Sequence, residues 1–216
     1  MKSIDIKFPD ETKKYVDMQC NKVLEDYTQC PELIPILTFL DKFRPQNILE
    51  IGSGLGRISV FLLKYFNWID TNFFLLDGDS GDKQVAGMNW KLENKYYNSL
   101  GATKLFCEAN QMKNFTIINA EKAYSLPRNT FDLCYSCKAI GFHWPINDYL
   151  DIISSSIKTG AYLFFELRSM RKDHYHNLDR HTRACKFTQM QLDKIMASTI
   201  YHLVEFYDPV VLLCKV

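Results

Sequence analysis

Along the 216-residue chain the apolar positions recur with a period of two in short runs and of three and four in longer ones. These changes of period divide the chain into alternating strands and helices. A charged amphipathic pattern over 10–29 predicts a helix that stops before Pro31, and "ELIPILTFLDKF" (32–43) predicts a second helix bent at Pro35. Ile48, Leu49 and Ile51 around Glu50 predict a buried strand at 47–51, and Ile58, Phe61, Leu62 and Tyr65 continue at helical spacing over about 55–66. "NFFLLDGD" (72–79) reads as a second strand ending in acid. Residues 83–113 hold a helix from about Lys83 to Leu100 and, past Gly101, a second helical piece. "FTIINA" (115–120) and "FDLCYSC" (131–137) are strands three and four, and "INDYLDIISSSI" (146–157) is a helix closed by "KTG". "AYLFFELR" (161–168) is strand five. A helix at about 188–197 then leads to "YHLVEFYDPVVLLCKV" (201–216), two closing strands around Asp208 and Pro209. Such alternation implies a mostly parallel sheet with helices on both faces. The short turn between the last two strands makes them antiparallel to each other.

Composition narrows the class. The length suits one substantial core with an N-terminal extension. With 47% hydrophobic and 24% charged residues, the chain is neither disordered nor fibrous. A net charge of +1 leaves no electrostatic footprint for nucleic acid or anionic lipid, so a small-molecule substrate is expected. The opening residues hold no apolar segment of signal-peptide type, and no stretch approaches the roughly 20 apolar residues that span a bilayer. A cytoplasmic protein without membrane partners is expected. The seven cysteines are scattered and odd in number, which fits reduced thiols. Cys134 and Cys137 form a lone CxxC on a strand, without the second pair that a zinc site wants.

The chemistry gathers where the first strand ends. Gly52, Gly54 and Gly56 stand at alternate positions between strand and helix, a turn that lets a ligand lie against the main chain under the helix's free N–H groups. A dinucleotide turn wants G-x-G-x-x-G, and here Arg57 occupies the position of its third glycine. Glu50, just before the glycines, would repel a pyrophosphate but suits a sulfonium and an amino group. Asp77 ends the second strand beside this turn, where its two oxygens can accept ribose hydroxyls. Gly78 leaves space against an adenine face, and Asp79 is either a rival for the ribose or a support of the loop. No EF-hand glutamate follows the acids of "DGDSGD".

"EIGSGLGR", "LLDGD", "NAEKAYSLP", "FDLCYS" and the closing strand pair, in this order, resemble the class I S-adenosylmethionine-dependent methyltransferases. "YSCKAIGFHWPINDYLDII" with "GAYLFFELR" is similar to bacterial sugar O-methyltransferases of surface-polysaccharide loci. The resemblance implies a Rossmann-like, doubly wound sheet of seven strands with an antiparallel closing strand, and S-adenosylmethionine as methyl donor. It implies one domain over 1–216: a helical extension at 1–45, a cofactor-binding core at 46–168, and a substrate-side loop, helix and closing strands at 169–216. It also places Asn119, Ala120 and Glu121 against the adenine, although the family often has an aspartate where Asn119 stands, and it puts Ser136 with the donor.

On the acceptor side, Lys138, His143 and Trp144 follow strand four, at the strand ends where open α/β sheets bind ligands. An alcohol acceptor must lose a proton, and histidine titrates near neutral pH, so His143 is the candidate base. "ELRSMRKDHYHNLDRHTR" (166–183) leaves strand five with Arg168, His174 and His176 among its cations. It reads as an anion clamp or a solvated basic loop. Its histidines lack a metal-site pattern. O-methylation of a small polar acceptor, sugar-like or anionic, in capsule or surface-polysaccharide synthesis is the leading expectation; N-methylation of a small metabolite and a non-catalytic binding subunit are the alternatives.

Overall fold

The computed structural model describes residues 4–13, 34–79, 99–120, 122, 125–137, 139, 146, 149–167, 180–198, 200–207 and 210–216. In chain order its elements are α1 (Ile34–Leu40), β1 (Asn47–Ile51), α2 (Arg57–Phe66), β2 (Asn72–Asp77), α3 (Leu100–Ala109) and β3 (Phe115–Asn119). There follow β4 (Phe131–Ser136), α4 (Leu150–Ser156), β5 (Ile157–Glu166), α5 (Arg180–Ala197), β6 (Tyr201–Tyr207) and β7 (Val210–Lys215). The seven strands have the order β3-β2-β1-β4-β5-β7-β6. The pairs β2–β3, β1–β4 and β4–β5 are parallel, and β7 runs antiparallel to both β5 and β6. This is the mostly parallel, Rossmann-like sheet with its closing antiparallel strand that the pattern implies. Among the described residues no helix is long and apolar enough to cross a membrane.

The chain divides into two compact units, Met1–Arg44 with Ser53–Tyr124, and Pro45–Gly52 with Ser125–Val216. The first buries Phe61, Phe73 and Phe106. Helix α2 is buried on nearly every side, at Val60, Phe61, Leu62 and Leu63, and ends at Asn67 in the left-handed conformation, whose N–H donates to Leu63 O. An N-terminal strap is fastened to this unit. Lys7 N–H donates to Asn110 Oδ1 and Asn110 Nδ2 to Lys7 O, both at 2.8 Å, and Lys64 Nζ donates to Asn110 Oδ1 and to Asp5 O. The second unit buries Ile48, Leu49, Leu163 and Phe165. Beside β1 and β4, the Asp132 carboxylate takes the N–H groups of Gln46 and Asn47 and pairs with Lys158 at 2.7 Å.

Several boundaries differ from the sequence pattern for local reasons. Pro35 is the second residue of α1 as described, and residues 31–33 before it lie outside the described residues. Leu100 opens a helix instead of ending one: Ser99 caps it by accepting Ala102 N–H, which leaves Gly101 inside its first turn. The expected helix from Lys83 lies outside the described residues, as does most of the one at 10–29. Strand five begins at Ile157, not Ala161. "KTG" is a bulge in it, with Gly160 at φ 78°, because the pairing jumps from Phe131↔Ile157 to Leu133↔Tyr162. Helix α5 starts at Arg180, so Arg180, His181 and Arg183 are helical and not part of a loop.

Candidate functional site

In the first unit the site is built from the turn that follows β1. Ser53 N–H donates to Leu76 O at 3.2 Å, and Gly56 N–H closes the turn on Ser53 O at 2.7 Å. Gly54 and Gly56 hold φ values of 52° and 77°, angles that glycine adopts without strain. A Cβ on Gly56 would come within 3.0 Å of Leu75 Cδ1 and 3.4 Å of Cys107 Sγ. The close approach of helix to strand, which a dinucleotide turn would assign to a glycine at position 57, is therefore made by Gly56. Thr103 Oγ1 donates to Gly54 O at 2.8 Å and ties α3 to the same turn.

Asp77 locks this arrangement. Its Oδ2 accepts Gly54 N–H at 2.5 Å and its Oδ1 accepts Gly78 N–H at 2.7 Å. Burial pushes its carboxyl up to about 6 from the usual 3.8, outweighing the two amide hydrogen bonds, which act in the opposite direction. Each oxygen keeps acceptor capacity beyond its one amide, so clamping the turn does not preclude taking a hydroxyl. Asp79 is exposed and accepts Leu100 N–H at 3.3 Å, at the start of α3. Asn119 stands opposite Asp77 in the parallel register, so the residues expected at ribose and adenine are paired at the C-terminal ends of β2 and β3. Ala120 N–H is committed to Asp77 O at 2.8 Å.

In the second unit, Glu50 on β1 is paired in register with Tyr135 on β4, and Tyr135 with Phe164 on β5. Glu50 is 3% exposed and Tyr135 2%, and the Tyr135 hydroxyl donates to Glu50 Oε2 at 3.1 Å. Gly52 has φ 70°, and a Cβ there would lie 2.1 Å from that of Ala139. Only glycine fits. Ser136 is buried at the end of β4, beside Phe165. Burial pushes the Cys134 thiol up, so this cysteine packs as an apolar group and is poorly suited to bind metal as a thiolate.

Of the expected site residues, Glu50, Gly52 and Ser136 fall in one unit, and Gly54, Gly56, Asp77, Gly78, Asn119 and Ala120 in the other. Glu121, Lys138, His143, Trp144, Arg168, His174 and His176 lie outside the described residues. Three groups escaped the sequence reading. Ser53 is 7% exposed, and its Oγ has no hydrogen-bond partner among the described residues; its signal was its place between two turn glycines. Tyr135 was hidden in an apolar strand. Glu166, 1% exposed, ends β5 two positions beyond Phe164 and thus on the sheet face of Tyr135, and only its place at the end of "AYLFFE" marked it.

No protein-family model and no curated protein sequence matches the chain. Solved structures do. An S-adenosylmethionine-dependent methyltransferase from Aquifex aeolicus is similar over 94% of this chain and 97% of its own, at 12% identity and a TM-score of 0.60. The SAH-bound methyltransferase PaMTH1 of Podospora anserina is similar over 96% of this chain and 88% of its own, at 16% identity and a TM-score of 0.51. The CurJ carbon methyltransferase is similar over 83% of this chain and 51% of its own, at 13% identity and a TM-score of 0.51. Strand order, glycine turn and terminal acids thus sit in a chain that has the fold of the S-adenosylmethionine-dependent methyltransferases.

Proposed function

We propose that this protein is an S-adenosylmethionine-dependent methyltransferase acting on an oxygen of a small polar acceptor, sugar-like or anionic, in the cytoplasm. The observation that carries the reading is the Asp77 carboxylate bonded to Gly54 N–H in the glycine turn; in the chain, a second acid, Glu50, buried in β1, comes two positions before Gly52. Acids at that turn repel a pyrophosphate and suit a ligand that carries ammonium and sulfonium at one end and ribose hydroxyls at the other. The buried Ser53 Oγ offers a further polar contact at the same turn. These residues fit the donor.

When bound, the donor supplies a methyl carbon already activated by its sulfonium. Glu50 provides the negative charge for the cationic amino-acid end, and Asp77 accepts the ribose hydroxyls with its remaining lone pairs. Much of the rate of an in-line displacement would come from alignment of donor and acceptor. The acceptor hydroxyl must also give up its proton, and we assign His143 as the base that receives it. Lys138, Trp144, Arg168, His174 and His176 are assigned to the acceptor. The carbohydrate preference rests on the sequence resemblance and on the cationic run after β5. Calorimetry should show S-adenosylhomocysteine binding in the micromolar range, roughly −8 kcal/mol. Binding of NAD with none of S-adenosylhomocysteine would sink the reading. A screen with labelled methyl donor across nucleotide sugars, sugar phosphates and amines then identifies the atom: label on a carbohydrate oxygen supports the proposal, and label on nitrogen replaces it with N-methylation. Donor binding without transfer to any acceptor class leaves a binding subunit.

A further inference from the structure

We propose that Tyr135 is a positioning residue for donor recognition, its hydroxyl holding the Glu50 carboxylate in the orientation that meets the donor's amino group; this rests on the donor reading above. The two residues face each other across neighbouring parallel strands, Glu50 on β1 and Tyr135 on β4. Their backbones are about 4.8 Å apart there, as in any sheet. The ring of Tyr135 is buried, and its hydroxyl reaches Glu50 Oε2 at 3.1 Å. A tyrosine has only two side-chain torsions, and this one stands between β1 and Phe164 of β5 in the register. Its hydroxyl is therefore a fixed point. The glutamate has three torsions, and at 3% exposure it needs a hydrogen bond to aim its carboxylate.

The chemistry of the pair selects the ligand group. A donated O–H suits a charged acceptor, and the tyrosine occupies one of about four acceptor sites on the carboxylate. A carboxylate this far from water favours a cationic ligand group over a neutral or anionic one. Two residues on, the chain enters the glycine turn at Gly52, where the absence of a Cβ keeps the main chain open. An ammonium group is the cation that the donor presents. The uncharged thioether and adenosine have no use for this carboxylate. Tyr135 should therefore matter for the amino-acid end of the ligand and not for its nucleoside end.

Titration calorimetry on the full chain tests this with two probes, S-adenosylhomocysteine and 5′-methylthioadenosine, which keeps nucleoside and thioether but lacks the amino acid. Tyr135→Phe should weaken S-adenosylhomocysteine about tenfold, the scale of one hydrogen bond to a charged group. It should leave 5′-methylthioadenosine within about twofold, because that probe makes no contact with Glu50. Glu50→Gln should show the same split, and adding Tyr135→Phe to Glu50→Gln should cost nothing further, since the tyrosine acts through the glutamate. Equal weakening of both probes by Tyr135→Phe, or none of S-adenosylhomocysteine, overturns the inference; the first marks Tyr135 as a packing residue. If the unaltered chain binds neither probe, the donor reading falls and takes this inference with it.

Discussion

Asp77 both clamps the glycine turn and is assigned to the ribose, and Asp77→Asn separates these duties by pH. The carboxylate accepts two amides, Gly54 N–H on Oδ2 and Gly78 N–H on Oδ1. An asparagine can accept only one of them and turns its NH₂ toward the other, a loss of about 1–3 kcal/mol. Against this stands the cost of holding the buried charge. Raising the group from 3.8 to about 6 corresponds to about 3 kcal/mol of stability absent at neutral pH. The two terms offset, so the variant should lie within about 2 kcal/mol of the wild type at pH 7. Between pH 3.8 and about 6 the folded chain keeps a proton on Asp77 that the unfolded chain has released, so this contribution falls as pH rises through that window. Urea unfolding at pH 4 and pH 7 should therefore show the wild type gaining roughly 2 kcal/mol on the variant at the lower pH. Ribose binding wants the ionised form. With a pKa of about 6, only about a tenth of Asp77 is ionised at pH 5, so S-adenosylhomocysteine should bind the wild type up to roughly tenfold more weakly at pH 5 than at pH 7. The variant should bind weakly and equally at both. Identical pH responses of the two chains would refute this account. A larger effect of Asp79→Ala than of Asp77→Ala would move the ribose role to Asp79.

Gly52→Ala must push a new methyl into Ala139 Cβ, 2.1 Å away, at φ 70°, whereas Gly56→Ala meets Leu75 at 3.0 Å; thermal melts should show both variants destabilised, and Gly52→Ala the more. Asn110→Ala removes the fastening of the N-terminal strap and should cost about 1–3 kcal/mol in urea unfolding, with faster amide exchange at Lys7. On an acceptor found by the labelled-methyl screen, His143→Ala should lower turnover about 10²- to 10⁴-fold with donor affinity unchanged, and Arg168→Ala should raise KM, most for anionic acceptors. Full activity of His143→Ala on an alcohol would send the search for the base to His174, His176 and His181.

Local pattern alone determined the strand succession, the glycine turn and the acids at its edges, because each depends on residues within one turn or one strand. Ile48, Leu49 and Ile51 bury in β1, and the glycines of "GSGLG" permit the positive φ with which the chain leaves the strand. Where pattern failed, a neighbour distant in sequence or a competing local bond prevailed. "KTG" looks like a helix end but bulges, because Ile157 pairs with Phe131 before Tyr162 reaches Leu133. Gly101 looks like a break but sits inside a helix that Ser99 caps. Only the tertiary structure decided that Gly52 and Gly56 are required by packing, against Ala139 and Leu75, as much as by any ligand. It alone placed the Tyr135 hydroxyl on Glu50, 85 residues away, and the Gly54 amide on Asp77, 23 residues away. Hydrogen bonds of that reach are set by which strands lie side by side, and hydrophobic periodicity carries no record of which apolar strand will be the neighbour.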